Sequence, residues 1–92
     1  MKIKITNTFE RTVKKAHRNQ VKHIEDAIDE IAKNPEIGEP KKGDLAEVYV
    51  YKFRINKQLI LLAYIYNEAK KEITLLSIGT HENFYRDLKK KI

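Results

Sequence analysis

Hydrophobic and polar positions change their period along this chain, and each change marks an element. Residues 2–6 alternate lysine with isoleucine, the period-two pattern of a short strand. Phe9, Val13 and Ala16 then recur at spacings of four and three, which gathers them on one face of a helix. Asn7 or Thr8 can cap its start. Val21, Ile24, Ile28 and Ile31 repeat the helical spacing, and Asn19-Gln20 marks the expected joint between two antiparallel helices. The second helix stops at Asn34, because Pro35 disfavours helical geometry in the residue before it.

Residues 35–43 hold two prolines, two glycines and Lys41-Lys42, and read as loop. Strict alternation then returns. Tyr49, Tyr51, Phe53 and Ile55 face one way, while Val48, Val50, Lys52 and Arg54 face the other. Ile55-Asn56-Lys57-Gln58 turns the chain. Residues 59–66 are apolar on both faces, as in a central strand. A turn over 67–71 leads to a third β-rich stretch, 72–78, which Gly79 ends; Thr80 then caps a last helix running to about Lys90. The order β-α-α-β-β-β-α predicts an α+β fold in one domain, 1–92, with a helical hairpin packed on a small, antiparallel-rich sheet. The hairpin should cover one sheet face and leave part of the other open.

Composition narrows the function classes. The chain has no cysteine, so neither a disulfide nor a Cys-based zinc site supports its core. Its apolar runs are too short to cross a bilayer, and the charged start, Met1-Lys2-Ile3-Lys4, leaves no signal-peptide core. A soluble, non-exported, cytoplasmic protein is expected. The formal net charge of +6 suits an anionic partner, and equally suits solubility.

The charged residues can be read in two ways. Arg11, Lys14, Lys15, Arg18 and Lys22 form a basic run, followed by Glu25, Asp26, Asp29 and Glu30. This is a solvated helical surface or an RNA contact. Lys52 and Arg54 share a strand face: they are its solvated end, or a phosphate patch in which Arg54 offers two parallel hydrogen bonds. His17, His23 and His81 have no metal-ligand spacing, and neither a metal nor a cofactor is expected. His81 falls where a strand end meets a helix start, with Tyr85 one turn later. Together they are a cap-region histidine and a half-buried tyrosine, or a proton shuttle beside a ring that stacks on a base.

Four segments carry a family resemblance: "NPEIGEPKKGDL" (34–45), "VYVYKFRI" (48–55), "LILLAY" (59–64) and "GTHENFYRDLKK" (79–90). In this order, behind an amphipathic helix pair, they resemble the RelE/ParE superfamily of bacterial toxins, and within it the ParE-like toxin subgroup. The resemblance implies a toxin neutralised by a small cognate antitoxin. Members of the superfamily divide between ribosome-dependent mRNA endonucleases and non-enzymatic inhibitors of DNA gyrase, and a degenerate member would keep antitoxin binding alone.

For the nuclease branch the resemblance implies His81 as general acid or base, with Lys52 and Arg54 as phosphate stabilisers. Tyr85 would stack on or orient the substrate. Lys41, Lys42, Lys57 and Arg86 would contact the RNA backbone, and Glu82 or Asp87 could supply an acidic partner. One departure is visible: many of these nucleases carry an arginine three residues before the tyrosine that Tyr64 resembles, and here that residue is Leu61.

Overall fold

The computed structural model describes residues 1–41 and 47–80. They form β1 (Lys2–Ile5), α1 (Asn7–Lys14), α2 (Arg18–Lys33), β2 (Glu39–Pro40), β3 (Val48–Ile55), β4 (Gln58–Asn67) and β5 (Glu72–Thr80). The two helices pack on one mixed sheet of strand order β1-β5-β4-β3-β2. β3, β4 and β5 make the expected antiparallel meander, with the doubly apolar β4 at its centre. β1 joins β5 in parallel, with Ile3 opposite Ile73.

The helix boundaries differ from the sequence expectation. Thr6, rather than Asn7 or Thr8, caps α1: its Oγ1 accepts the Phe9 N–H at 3.2 Å and donates to the Leu76 carbonyl at 2.8 Å. One hydroxyl thus satisfies an orphan helix donor and ties the helix start to β5. α1 stops at Lys14, and the joint lies at residues 15–17, ahead of Asn19-Gln20. Gln20 is already inside α2, where its Oε1 accepts the N–H of the N-cap residue His17 at 3.2 Å.

Phe9, Ile24, Ala27 and Ile31 enter the core from the helices. They meet Ile55, Ile60, Leu62, Tyr64, Ile73, Leu75 and Ile78 from the sheet. Each large side chain buried here contributes about 1.5–3 kcal/mol relative to exposure. The other sheet face is not simply open. Val48, Val50, Leu61 and Ala63 form a second buried cluster there, with Leu59, Ile65 and Leu76 packed against it. The irregularity between Ala63 and Tyr64 feeds this cluster: Ala63 pairs with Ser77 and Tyr64 with Leu75, so Leu76 is the extra residue of a bulge.

Two further segments depart from expectation. Glu39-Pro40 lies within the expected loop, yet it pairs with Val50 and Tyr49 as an edge strand. The Lys41 N–H donates to the Val48 carbonyl at 2.9 Å. By alternation, Pro40 falls where its missing N–H would face away from β3, so proline is tolerated. Nor does Gly79 end β5. Gly79 and Thr80 pair with Leu61 and Ile60, because β4 offers ladder partners that far. The expected last helix lies outside the described residues. No helix among the described residues is long and apolar enough to cross a membrane.

Candidate phosphate-binding site

β3 alternates as its sequence dictates, and the alternation changes character halfway along. Val48 and Val50 are buried on the face turned away from the helices; Lys52 and Arg54 continue that face and are exposed. Lys52 stands opposite Leu61 and Arg54 opposite Leu59. The strand then reverses through the two-residue turn Asn56-Lys57, with Asn56 in the left-handed region at φ 58°. Arg54 Nη1 donates to the Lys57 carbonyl oxygen at 3.2 Å. This bond fastens the guanidinium to the turn and uses one of its five donors.

Across β2, Glu39 faces the same side. Its carboxylate reaches Lys41 Nζ at 3.4 Å through Oε1 and Lys52 Nζ at 3.5 Å through Oε2. Lys41 and then Lys52 hold the Glu39 carboxyl below its ordinary value of 4.5, so it is ionised at neutral pH. One exposed carboxylate therefore gathers two ammonium groups, one from β3 and one from the residue that follows β2. Surface pairs of this kind are worth little to stability, but they fix where the cations stand.

The segment leading to Glu39 is itself anchored. The Tyr64 hydroxyl donates to the Pro35 carbonyl at 2.7 Å and accepts the Gly38 N–H at 3.0 Å. Its ring stacks on Tyr49, with centroids 5.5 Å apart. Tyr64 is fully buried, and burial pushes its hydroxyl above the ordinary tyrosine value. It acts here as a neutral hydrogen-bonding post under the β2 approach.

Glu39 thus joins the Lys41 and Lys52 ammonium groups, and Arg54, two residues further along the same strand face, is fastened to the turn that contains Lys57. Sequence reasoning missed Glu39. Its signal was the alternation Glu39-Pro40-Lys41, which puts a carboxylate and an ammonium on one face if the segment is extended. Leu61, at the position of the absent arginine, is completely buried in the second apolar cluster. Lys42, His81, Glu82, Tyr85, Arg86 and Asp87 lie outside the described residues. Thr80, which precedes His81 in sequence, pairs with Ile60, and Ile60 pairs with Phe53 between Lys52 and Arg54.

Among the described residues, the charges of the two helices are not assembled with this group. His17 and His23 are exposed on α2 and its cap, and no metal-holding cluster of His, Cys, Asp or Glu occurs among the described residues. Arg11, Lys14, Lys15, Arg18 and Lys22 are exposed, with Lys14 paired to Glu10 at 3.0 Å, as a solvated helical surface requires.

This fold is shared with solved toxin structures. The RelBE2 toxin–antitoxin complex of Mycobacterium tuberculosis superposes with a TM-score of 0.74 at 17% identity, covering 87% of this chain and 96% of that one. A double arginine-to-alanine mutant of the Escherichia coli toxin RelE, in the free state, gives 0.76 at 16% identity over 98% of this chain and 90% of that one. The intact E. coli RelBE toxin–antitoxin complex gives 0.71 at 16% identity, covering 88% and 96%. At such identities the likeness speaks for the fold alone. No curated protein matches the sequence. The family model described as ParE-like toxin of type II bacterial toxin-antitoxin system matches residues 3–89. With nearly the whole length matched, the chain belongs to the ParE-like toxins of type II bacterial toxin–antitoxin systems.

Proposed function

We propose that this toxin is a ribosome-dependent mRNA endoribonuclease, held inactive by a cognate antitoxin. The observation that carries the reading is the exposed pair Lys52 and Arg54 on one strand face, with Lys41 drawn toward Lys52 by Glu39. A cluster of cations is what an RNA phosphodiester needs when charge builds on its non-bridging oxygens. In the proposed reaction the 2′-oxygen attacks the adjacent phosphorus as a base removes its proton. The bond from phosphorus to the 5′-oxygen breaks, and an acid protonates that oxygen. The products are a 2′,3′-cyclic phosphate and a 5′-hydroxyl. No metal is required.

His81 is assigned to proton transfer, Arg54 and Lys52 to the phosphate, and Tyr85 to stacking or orienting the substrate. Lys41, Lys42, Lys57 and Arg86 contact the RNA backbone. The roles of His81 and Tyr85 are carried over from the family resemblance, and those of Lys52 and Arg54 are supported by their shared, exposed strand face. An antitoxin partner follows from the family, and two of the fold relatives are themselves toxin–antitoxin complexes. The site of action on this reading is the cytoplasm, where ribosomes translate.

A second reading is favoured by Leu61. Its complete burial removes from the cation face the arginine that many RelE-type nucleases carry, and the same surfaces could serve a non-enzymatic gyrase inhibitor. Cell-free translation of a defined mRNA, with new ends mapped by primer extension, separates the two. Wild-type protein should create ends at codon-spaced positions only when ribosomes are present, and His81→Ala should not. Intact mRNA with folded, growth-arresting wild-type protein would reject the nuclease reading, and inhibition of DNA supercoiling would then establish gyrase as the target. Antitoxin binding without either effect would mark a degenerate toxin.

A further inference from the structure

Exposed apolar side chains are concentrated at one end of the sheet. Of the four large hydrophobic residues exposed among the described ones, Ile3 and Ile5 lie on β1 and Met1 precedes it; only Ile37 lies elsewhere. β1 is an end strand, and among the described residues no strand lies on its outer side. On the inner side, the N–H groups of Lys2 and Thr6 donate to the Lys71 and Leu75 carbonyls at 3.0 and 3.1 Å. Alternation therefore turns the N–H and C=O of Ile3 and Ile5 outward. Each of these two residues offers one donor and one acceptor to a further strand.

The side chains of β1 say which strand fits. Ile3 stands opposite Ile73 and Ile5 opposite Leu75, so both isoleucines lie on the helix-covered face, beside the core. Ile5 also lines an apolar groove with Phe9, Val13, Val21, Ile24 and Ile28. Lys2 and Lys4 take the other face, where Lys4 Nζ meets a Glu72 carboxylate oxygen at 3.2 Å. A second β1 has the same apolar face and the same outward groups. Lysine on an edge strand discourages indiscriminate pairing, and here it selects the register. With Ile3 against Ile3 of a second copy, Lys2 would oppose Lys4 twice. With Ile3 against Ile5, Lys2 opposes the uncharged Thr6, and Lys4 alone meets its own counterpart. Each Lys4 then brings its Glu72 countercharge.

We propose that two copies of this chain associate through β1, antiparallel about a twofold axis at Lys4, so that their sheets become one. Ile3 of each copy exchanges backbone hydrogen bonds with Ile5 of the other, and the four isoleucines form a patch continuous with the groove beside Phe9. The contact is smaller than a stable dimer interface, so the dimer is weak, with a dissociation constant on the order of 100 µM. β1 lies at the far edge of the sheet from β2, and the association is independent of the RNA reading.

The test uses the full chain, which has no cysteine of its own. Opposed residues that exchange no hydrogen bond in an antiparallel pair have Cα atoms about 4.5 Å apart, within the span of a disulfide. Lys4→Cys, at the twofold axis, should therefore oxidise to a disulfide-linked dimer in glutathione buffer. Lys2→Cys, which faces Thr6 rather than itself, should do so about tenfold more slowly or worse. Adding Ile3→Lys and Ile5→Lys to Lys4→Cys should slow the linkage by a similar factor, with circular dichroism checking the fold. For the wild type, sedimentation velocity should show monomer giving way to dimer as concentration passes the dissociation constant. Amide hydrogen exchange at Ile3 and Ile5 should slow over the same range, while Thr6, already bonded to Leu75, should not change. If the triple variant does not fold, the wild-type measurements still decide. Equal oxidation of the two single-cysteine variants, unprotected Ile3 and Ile5 amides, or a wild type that stays monomeric up to about ten times that constant overturns the proposal.

Discussion

Tyr64 and Gly38 are fitted to each other at a single point. The Tyr64 hydroxyl oxygen accepts the Gly38 N–H at 3.0 Å, and a Cβ on Gly38 would come within 2.7 Å of that same oxygen. The close approach that makes the hydrogen bond leaves no room for a side chain.

From this, Gly38→Ala should destabilise the fold by about 1–3 kcal/mol through overpacking. Tyr64→Phe should cost about 1–3 kcal/mol, because a buried N–H and the Pro35 carbonyl lose their partner. The double variant should lose less than the two single losses added together, since removing the hydroxyl also removes the tightest clash. Urea denaturation of the four proteins measures the coupling. Strict additivity would show that the two residues act apart.

Glu39→Gln removes the countercharge that Lys41 and Lys52 share. Binding of a fluorescent single-stranded RNA at low salt should tighten roughly two- to fivefold, an exposed-charge effect that fades as salt rises. Weaker binding would mean that Glu39 serves RNA by ordering the lysines rather than by competing with phosphate.

The same carboxyl gives a pH dependence of known sign. Its folded value lies below 4.5, so its contribution to stability is complete above that value and is lost as pH falls through the lower folded one. Between neutral pH and about 5, the melting temperatures of wild type and Glu39→Gln should run parallel; at lower pH the two curves should converge. A difference that persists unchanged into strong acid would contradict the ion pairing.

Introducing an arginine at Leu61, the position where the family resemblance leads one to expect it, should fail. Leu61 is completely buried among Val48, Val50 and Ala63, and Leu61→Arg puts an unpaired charge there, at a cost of about 3 kcal/mol or more. Leu61→Met should cost less than about 1.5 kcal/mol. Thermal denaturation distinguishes the outcomes, and a Leu61→Arg variant as stable as wild type would show that this face opens.

Ser77 has a buried hydroxyl with no hydrogen-bond partner among the described residues. Ser77→Ala discards that unsatisfied group and should be neutral or stabilising by up to about 1 kcal/mol. A clear loss of stability in urea would reveal a partner for the hydroxyl.

Strong local patterns were legible in the sequence, and short or long-range ones were not. Val48–Ile55 has the boundaries its alternation sets, and its two side-chain sets separate onto the two sheet faces as expected. β4 is central because it is apolar on both sides. By contrast, two residues of β2 are too few to show a period, and Pro40 argues against a strand unless the ladder phase is known. The cap at Thr6 depends on a carbonyl supplied by Leu76, and the persistence of β5 past Gly79 depends on β4. Such partners are remote in sequence. Of the candidate site, Lys52 and Arg54 were readable from alternation alone. The part played by Glu39 required knowing that β2 lies beside β3.

The parallel pairing of β1 with β5 also sets an order of events. Lys2 finds its strand partner at Glu72, and the Thr6 hydroxyl finds its acceptor at Leu76. Contacts so distant along the chain close late in folding. On a translating ribosome, β1, α1 and α2 emerge before the strand that receives them exists, and the sheet cannot be completed until Thr80 has been made. The complete sheet, with Lys52 and Arg54 on its face, is thus absent through most of the chain's own synthesis.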